Sequence, residues 1–149
     1  MAVPSKIKQR VGESLKPVIY EVEKNQIRRF ARAIGEDNPI HVDEQVAKKS
    51  GYGGLVAPPT FAGSLCDMEK IFAEYDLDPQ STMHAEEEYE YFRPIVAGDV
   101  ISVTHELADA YPKQAPGGRL LFVVIVSRGL DKRSRDVFKS RRVLVELKH

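Results

Sequence analysis

Residues 58–75 read PPTFAGSLCDMEKIFAEY, and the spacing of their apolar side chains decides the fold. These side chains recur every three or four residues, as along one face of an α-helix, at Phe61, Leu65, Met68, Phe72 and Tyr75. Pro58 and Pro59 suit a first helical turn, where a missing amide hydrogen costs nothing. Asp78-Pro79 is expected to end the helix. The stretch therefore predicts a long, apolar, central helix.

From Ala85 onward the pattern changes to a period of two residues, which predicts β-strands. Tyr89 and Tyr91 alternate with glutamates, and apolar alternation or continuous apolar runs return at residues 101–107, 119–127 and 143–147. Short segments with turn chemistry separate the runs, at residues 94–99, 115–118 and 131–134. We expect consecutive strands to pair antiparallel as a meander.

N-terminal to the central helix, residues 18–22 predict a strand, and a second helix should follow this strand and stop at Gly35. Residues 1–16 are polar and lysine-rich, and we expect them to be loosely ordered. A long helix wrapped by a curled antiparallel sheet makes an α+β fold, so the sequence predicts one hot-dog domain over residues 1–149. Its open sheet edge predicts a dimer.

The composition excludes several classes of protein. The 149 residues include 22 basic and 22 acidic ones, so no global field favours nucleic acid or an anionic membrane. The longest apolar run is far shorter than a membrane span, and the N-terminus lacks the apolar region of a secretory signal. Cys66 is the only cysteine, which rules out an internal disulfide. We expect a cytoplasmic protein.

A short segment after the second helix carries a specific resemblance. Residues 33–43 read AIGEDNPIHVD, which resembles the hydratase motif Gly-Asp-x-Asn-Pro-x-His of the MaoC-like hydratases and dehydratases. The matching residues are Gly35, Asn38, Pro39 and His41, while Glu36 stands where the family has a catalytic aspartate. The resemblance continues through residues 51–61 and 91–99, and it implies a substrate contact at Gly54. It also implies a hydro-lyase acting on acyl-CoA or acyl-carrier-protein thioesters.

Hydration of an enoyl thioester needs a base and an acid within about 3 Å of one water. Glu36 and His41 flank a turn that can bring both side chains to one point, so we expect them to be catalytic, with Asn38 holding the water or the loop. The thioester carbonyl needs a hydrogen-bond donor, and the amides of Thr60 and Phe61 are the first available after the two prolines. We expect neither a cofactor nor a metal.

Two other functions compete with this one. Glu36, together with Pro58-Pro59 where the family often carries His-Gly, suits a non-catalytic subunit that pairs with another hot-dog chain in a heterodimer. Homodimer and heterodimer both stay open. Asp67 on the central helix suits an acyl thioesterase, in which a carboxylate stands there.

The remaining polar groups have simpler interpretations. We expect Cys66 to be a small core residue and His84 and His105 to be sheet residues without a site role. Glu86–Glu88 should face solvent. The basic residues at 132–135 and Arg141-Arg142 should be solvated, although the same cations also suit the phosphates of coenzyme A or of an acyl carrier's prosthetic arm.

Overall fold

The computed structural model describes residues 5–148. Its α-helices are α1 (Ser5–Gln9), α2 (Lys24–Ala33), α3 (Glu44–Lys49) and α4 (Met68–Tyr75). Its strands are β1 (Val18–Glu21), β2 (Thr82–Tyr91), β3 (Val100–Ala115), β4 (Gly118–Leu130) and β5 (Asp136–Lys148). Two 3₁₀ helices span Pro39–His41 and Phe61–Ser64. Among the described residues, no helix is long and apolar enough to cross a membrane.

The five strands form one antiparallel sheet in the order β1-β3-β4-β5-β2. Tight turns join β3 to β4 and β4 to β5, as the turn chemistry predicts. The predicted pairing of β2 with β3 is wrong, because β2 pairs with β5, with Tyr91 opposite Phe138. The chain between β2 and β3 instead pairs with the segment before the central helix, through Ala57 N–H to Ile95 O and Ala97 N–H to Leu55 O, both 2.8 Å. This pairing carries the chain across the domain.

The central helix is interrupted rather than continuous. A 3₁₀ turn over Phe61–Ser64 is followed by non-helical Leu65 and Asp67, and only then does α4 begin. Asp67 causes the restart, because its carboxylate accepts a hydrogen bond from the Lys70 amide (3.1 Å) as an N-cap. The helix ends at Asp76, which is left-handed (φ 53°), and not at Asp78-Pro79. The periodicity nevertheless identified the buried faces, since Phe61, Leu65 and Tyr75 are all buried.

The two halves of the interrupted helix pack in two separate hydrophobic clusters. The first half shares its cluster with Ile101 and Phe138, and the second shares its cluster with Leu107 and Leu144. The sheet curls around both, which confirms the α+β hot-dog fold although the helix is not one long element.

The N-terminal segment is more ordered than its composition predicts. Ile7 on α1 is buried, and the amides of Gly12 and Leu15 donate to the carbonyls of Leu107 and His105, both at 2.8 Å. These contacts extend the sheet edge beside β3 and attach the segment to the domain. Residues 1–4 lie outside the described part of the chain.

Candidate active site

The segment that follows α2 folds through its own side chains. Gly35 ends the helix in a left-handed conformation (φ 72°), which glycine adopts without steric cost. The Glu36 Oε1 atom accepts a hydrogen bond from the Asn38 amide (3.0 Å), and Asn38 Oδ1 accepts one from the Ile40 amide (3.2 Å). Asn38 thus caps the 3₁₀ turn that carries His41. Local hydrogen bonds thus shape the backbone of the motif and hold the side chains of Glu36 and Asn38.

The His41 imidazole is buried, and one of its nitrogens is fixed. Its side chain is only 4% exposed, and Nδ1 lies 2.6 Å from the carbonyl oxygen of Val56. Because a carbonyl only accepts hydrogen bonds, Nδ1 carries a proton, and the neutral ring then has its lone pair on Nε2. The Val56 amide returns a hydrogen bond to Ile40 O (3.0 Å). This reciprocal pairing ties the motif to the segment before the central helix.

A cavity of about 610 Å³ opens between these two segments and the end of β2. Three groups of residues form its walls: Glu36, Asn38, Ile40 and His41; Val56–Pro59; and Tyr91–Ile95. Most of the walls are apolar, and the volume falls in the range of small-molecule sites. The structure therefore brings Glu36, Asn38 and His41 to a single, largely apolar cavity.

Two stacked tyrosines on β2 hold the proline segment of this cavity. The Tyr91 hydroxyl donates to Pro59 O (2.5 Å), and the Tyr89 hydroxyl donates to Thr60 O (3.4 Å). Their rings lie 6.0 Å apart at 19°. Burial raises the pKa of Tyr91 to about 12 and raises the pKa of Tyr89 as well, so both hydroxyls stay protonated donors at neutral pH. Sequence reasoning missed this role, although Tyr91 lies in a segment that carries the resemblance.

Arg93 is a second wall residue that sequence reasoning missed. Its guanidinium forms two hydrogen bonds to Asp99, from Nη1 to Oδ2 (2.7 Å) and from Nη2 to Oδ1 (3.1 Å). Asp99 Oδ2 also accepts from the Val96 amide (2.9 Å). The available signal was an arginine and an aspartate of opposite charge, Arg93 and Asp99, at the two ends of one short predicted turn. The pair fixes the loop that closes the cavity.

The other predicted substrate contacts lie outside the cavity walls. Phe61 is fully buried, and its amide, the expected donor to the substrate, is already engaged with Pro58 O (2.9 Å). Gly54 is also buried, and a Cβ there would lie 3.3 Å from Ala97 O, which explains the glycine by close backbone packing rather than substrate contact. The Thr60 amide, next to the wall residue Pro59, donates no hydrogen bond within residues 5–148.

Several polar groups singled out in the sequence have structural partners. The Asp67 carboxylate is the exposed cap of α4 and does not line the cavity. Cys66 is half-buried beside the second cluster, and burial raises the pKa of its thiol. Within the described part of the chain, no three His, Cys, Asp or Glu side chains are grouped so as to hold a metal ion.

The prediction that Glu86–Glu88 and Arg141-Arg142 face solvent is wrong for Glu87 and Arg142. Their side chains are each 11% exposed and form an ion pair, with Arg142 Nε 2.8 Å from Glu87 Oε2. Arg142 Nη2 also donates to Gly63 O (2.9 Å), and His84 Nε2 lies 2.6 Å from Glu87. Strand alternation turns this pair inward, whereas Glu86 and Arg141 pair on the exposed face.

Comparison with known proteins places this geometry in context. The family described as "FAS1-like, dehydratase domain region" matches residues 9–140. A UPF0336 protein from Streptomyces avermitilis is 38% identical over 101 residues, which cover 63% of this chain and 66% of the relative. A UPF0336 protein from Thermobifida fusca is 36% identical over 110 residues, 70% of each chain. The similarity to the first relative thus spans just under two thirds of its length.

Solved structures of similar fold include two dehydratases and a hydratase. The HadBC (3R-hydroxyacyl-ACP dehydratase) complex from Mycobacterium tuberculosis has a TM-score of 0.80 at 23% identity, over 91% of this chain and 96% of that chain. A MaoC-like dehydratase has a TM-score of 0.80 at 26% identity, over 95% and 43%. R-hydratase PhaJ1 from Pseudomonas aeruginosa has a TM-score of 0.69 at 19% identity, over 93% of this chain and 83% of that chain.

Proposed function

The chain belongs to the family of FAS1-like dehydratase domains and resembles the MaoC-like dehydratases, and from this premise we propose that it is a hydratase or dehydratase of acyl thioesters. It would interconvert 2-enoyl and 3-hydroxyacyl thioesters by adding or removing water. One observation carries the proposal: Glu36, Asn38 and His41 line the same cavity, with His41 fixed through Nδ1. The carrier of the acyl group is coenzyme A or acyl carrier protein.

The proposed chemistry uses the free atoms of the motif. In the hydration direction, His41 Nε2 and Glu36 Oε2 accept the hydrogens of one water, whose oxygen adds to carbon 3 of the enoyl group. One of them takes a proton from this water, and the protonated group delivers a proton to carbon 2, so the OH on carbon 3 and the hydrogen on carbon 2 together make up one water. The negative charge that develops on the thioester oxygen needs a donor, and we assign this role to the unengaged amide of Thr60.

The test is hydration of crotonyl-CoA and of longer enoyl-CoA substrates by the purified protein, followed by loss of the enoyl absorbance. We expect His41→Ala to lower kcat by on the order of a hundredfold or more. His84→Ala is the matched control, because it removes an imidazole that lies outside the cavity walls. Full activity of the His41→Ala variant would contradict the proposal.

A second candidate function is a non-catalytic subunit of a heteromeric hot-dog dehydratase. Its support is that Glu36 stands where the resemblance implies an aspartate and folds back onto the Asn38 amide, while two prolines remove amide donors beside the cavity. Such a chain would bind enoyl-CoA without turnover and would stimulate a catalytic hot-dog partner. Co-expression with a neighbouring hot-dog chain, followed by size-exclusion chromatography and the same assay, separates it from an active homodimer. The thioesterase alternative finds no support, since Asp67 caps α4.

A further inference from the structure

We propose that the turn between β4 and β5 binds a phosphate group of the pantetheine-linked carrier of the substrate. The proposal rests on the function proposed above and adds how the carrier is recognised. The turn faces a cavity of about 210 Å³ that is distinct from the candidate active site. Its walls are Arg93, Gly98–Val100, Asp131–Arg133 and Arg135.

The two cavities share one wall residue. Arg93 lines both, and its ion-pair partner Asp99 lines the smaller one. A thioester whose acyl end lies beside His41 therefore has a neighbouring polar cavity into which the carrier can extend. The other cavity rich in arginine, on the outer face of α2, has Arg28, Arg29 and Arg32 among its walls and shares no residue with the candidate active site.

Asp131 holds the turn in a fixed conformation. Its Oδ1 atom accepts hydrogen bonds from the amides of Arg133 (2.8 Å) and Arg135 (3.0 Å). Its Oδ2 atom pairs with Arg135 Nε (2.9 Å), and its carbonyl accepts from the Ser134 amide (3.0 Å). These contacts neutralise the negative charge of Asp131 and fix the conformation of the turn without a bound ligand.

The charge balance of this cavity favours an anion. Both of its carboxylates are matched by arginines, Asp99 by Arg93 and Asp131 by Arg135. Lys132 and Arg133 are exposed, and neither forms an ion pair anywhere in residues 5–148. Two unmatched cations on a rigid turn suit a phosphate, which accepts charge-assisted hydrogen bonds from both. Arg141 and Arg142, by contrast, already pair with Glu86 and Glu87.

The test compares three substrates that share the crotonyl thioester but differ in phosphate content: crotonyl-CoA, crotonyl-4′-phosphopantetheine and crotonyl-pantetheine. The variant is Lys132→Gln/Arg133→Gln, which keeps the Arg133 amide on Asp131. Lys6→Gln/Lys8→Gln is the matched control, because it removes two exposed cations from α1 instead. We expect the turn variant to raise KM for crotonyl-CoA by on the order of tenfold, with kcat unchanged.

The KM for crotonyl-pantetheine should stay unchanged in the turn variant. A rise in KM for both phosphorylated substrates means that the turn binds the phosphate that coenzyme A shares with the arm of an acyl carrier protein. A rise in KM for crotonyl-CoA alone means that the turn binds a phosphate at the nucleotide end of coenzyme A. Equal rises for all three substrates, or none, would overturn the proposal. If the wild type turns over no substrate, the proposed function fails, and calorimetric titration with CoA and pantetheine tests the phosphate site separately. Binding of CoA that is equal in the wild type and the turn variant then overturns the phosphate site.

Discussion

The Nδ1 atom of His41 lies 2.6 Å from the carbonyl oxygen of Val56, fifteen residues further along the chain. This contact assigns the tautomer of the ring before any substrate is present. We predict that nitrogen-15 NMR of the protein with its His41 imidazole uncharged shows a proton on Nδ1 and none on Nε2. The opposite tautomer would contradict both the hydrogen bond and the proposed role of Nε2 as a proton acceptor.

The carboxylate at position 36 should be needed for turnover, whereas its exact length should matter less. Aspartate accepts a hydrogen bond from the amide two residues on as readily as Glu36 does, so Glu36→Asp preserves the turn. We expect Glu36→Asp to keep or raise kcat for crotonyl-CoA hydration and Glu36→Gln to lower it by on the order of a hundredfold. Equal activity in all three proteins would remove Glu36 from the mechanism.

The hydroxyl of Tyr91 should stabilise the cavity wall at Pro59. Tyr91→Phe removes its hydrogen bond to Pro59 O, and we expect the free energy of unfolding to fall by about 1 kcal/mol. Tyr111→Phe is the matched control, because the ring of Tyr111 stacks on Phe122 far from the cavity. Denaturant unfolding of the three proteins measures the difference, and an equal loss in both variants would argue against a specific role for Tyr91.

The inward ion pair between Arg142 and Glu87 should contribute far more than the outward pair beside it. Arg142→Met leaves the Glu87 carboxylate 11% exposed with its main cation gone, which costs about 3 kcal/mol or more. Arg141→Met breaks the exposed pair with Glu86 and should cost less than about 1 kcal/mol. Urea titrations of both variants measure these costs, and the prediction fails if the two losses are similar.

His105 should make the protein less stable in mild acid. Burial lowers the pKa of His105 to about 4 from its ordinary value of 6.5, and its Nδ1 lies 2.6 Å from Ser127 Oγ. Between these two pH values His105 is protonated in the unfolded chain and not in the folded chain. The free energy of unfolding therefore falls as pH drops from about 6.5 to about 4. The loss amounts to roughly 3 kcal/mol at pH 4.

The matching variant is His105→Leu, which removes the titrating group. Its free energy of unfolding should depend less on pH than that of the wild type between pH 4 and 7, whatever its absolute stability. His84→Ala serves as the control, since its imidazole is exposed and lies near Glu87. Parallel pH profiles of the wild type and His105→Leu would refute the prediction.

The sequence predicts those parts of the fold that depend on local chemistry. The end of α2 at Gly35, the two hairpins around β4 and the turn at Asn38 all follow from residues that are close in the chain. The break in the central helix was not predicted, because the apolar spacing continues through it while the Asp67 cap interrupts the backbone. A regular spacing of apolar residues therefore predicts which side chains are buried, but it does not show that the helix is continuous.

The long-range features of the site could not be predicted in the same way. Tyr91 and Arg93 reach the cavity only because β2 crosses to the far side of β5, and no local pattern reports that crossing. The same limit applies to the partner of Arg142, since strand alternation gives two possible faces and only the packed sheet decides which is buried.

The turn from Gly35 to His41 lies outside the sheet and is held by its own hydrogen bonds, by one backbone pairing and by the contact of His41 with Val56 O. Substitutions of Glu36 and Asn38, which belong to neither cluster, can therefore change the chemistry without removing a side chain from the clusters that stabilise the domain. The proposed chemistry thus depends on one short turn, whereas the stability of the domain depends mainly on the two clusters that the sheet covers.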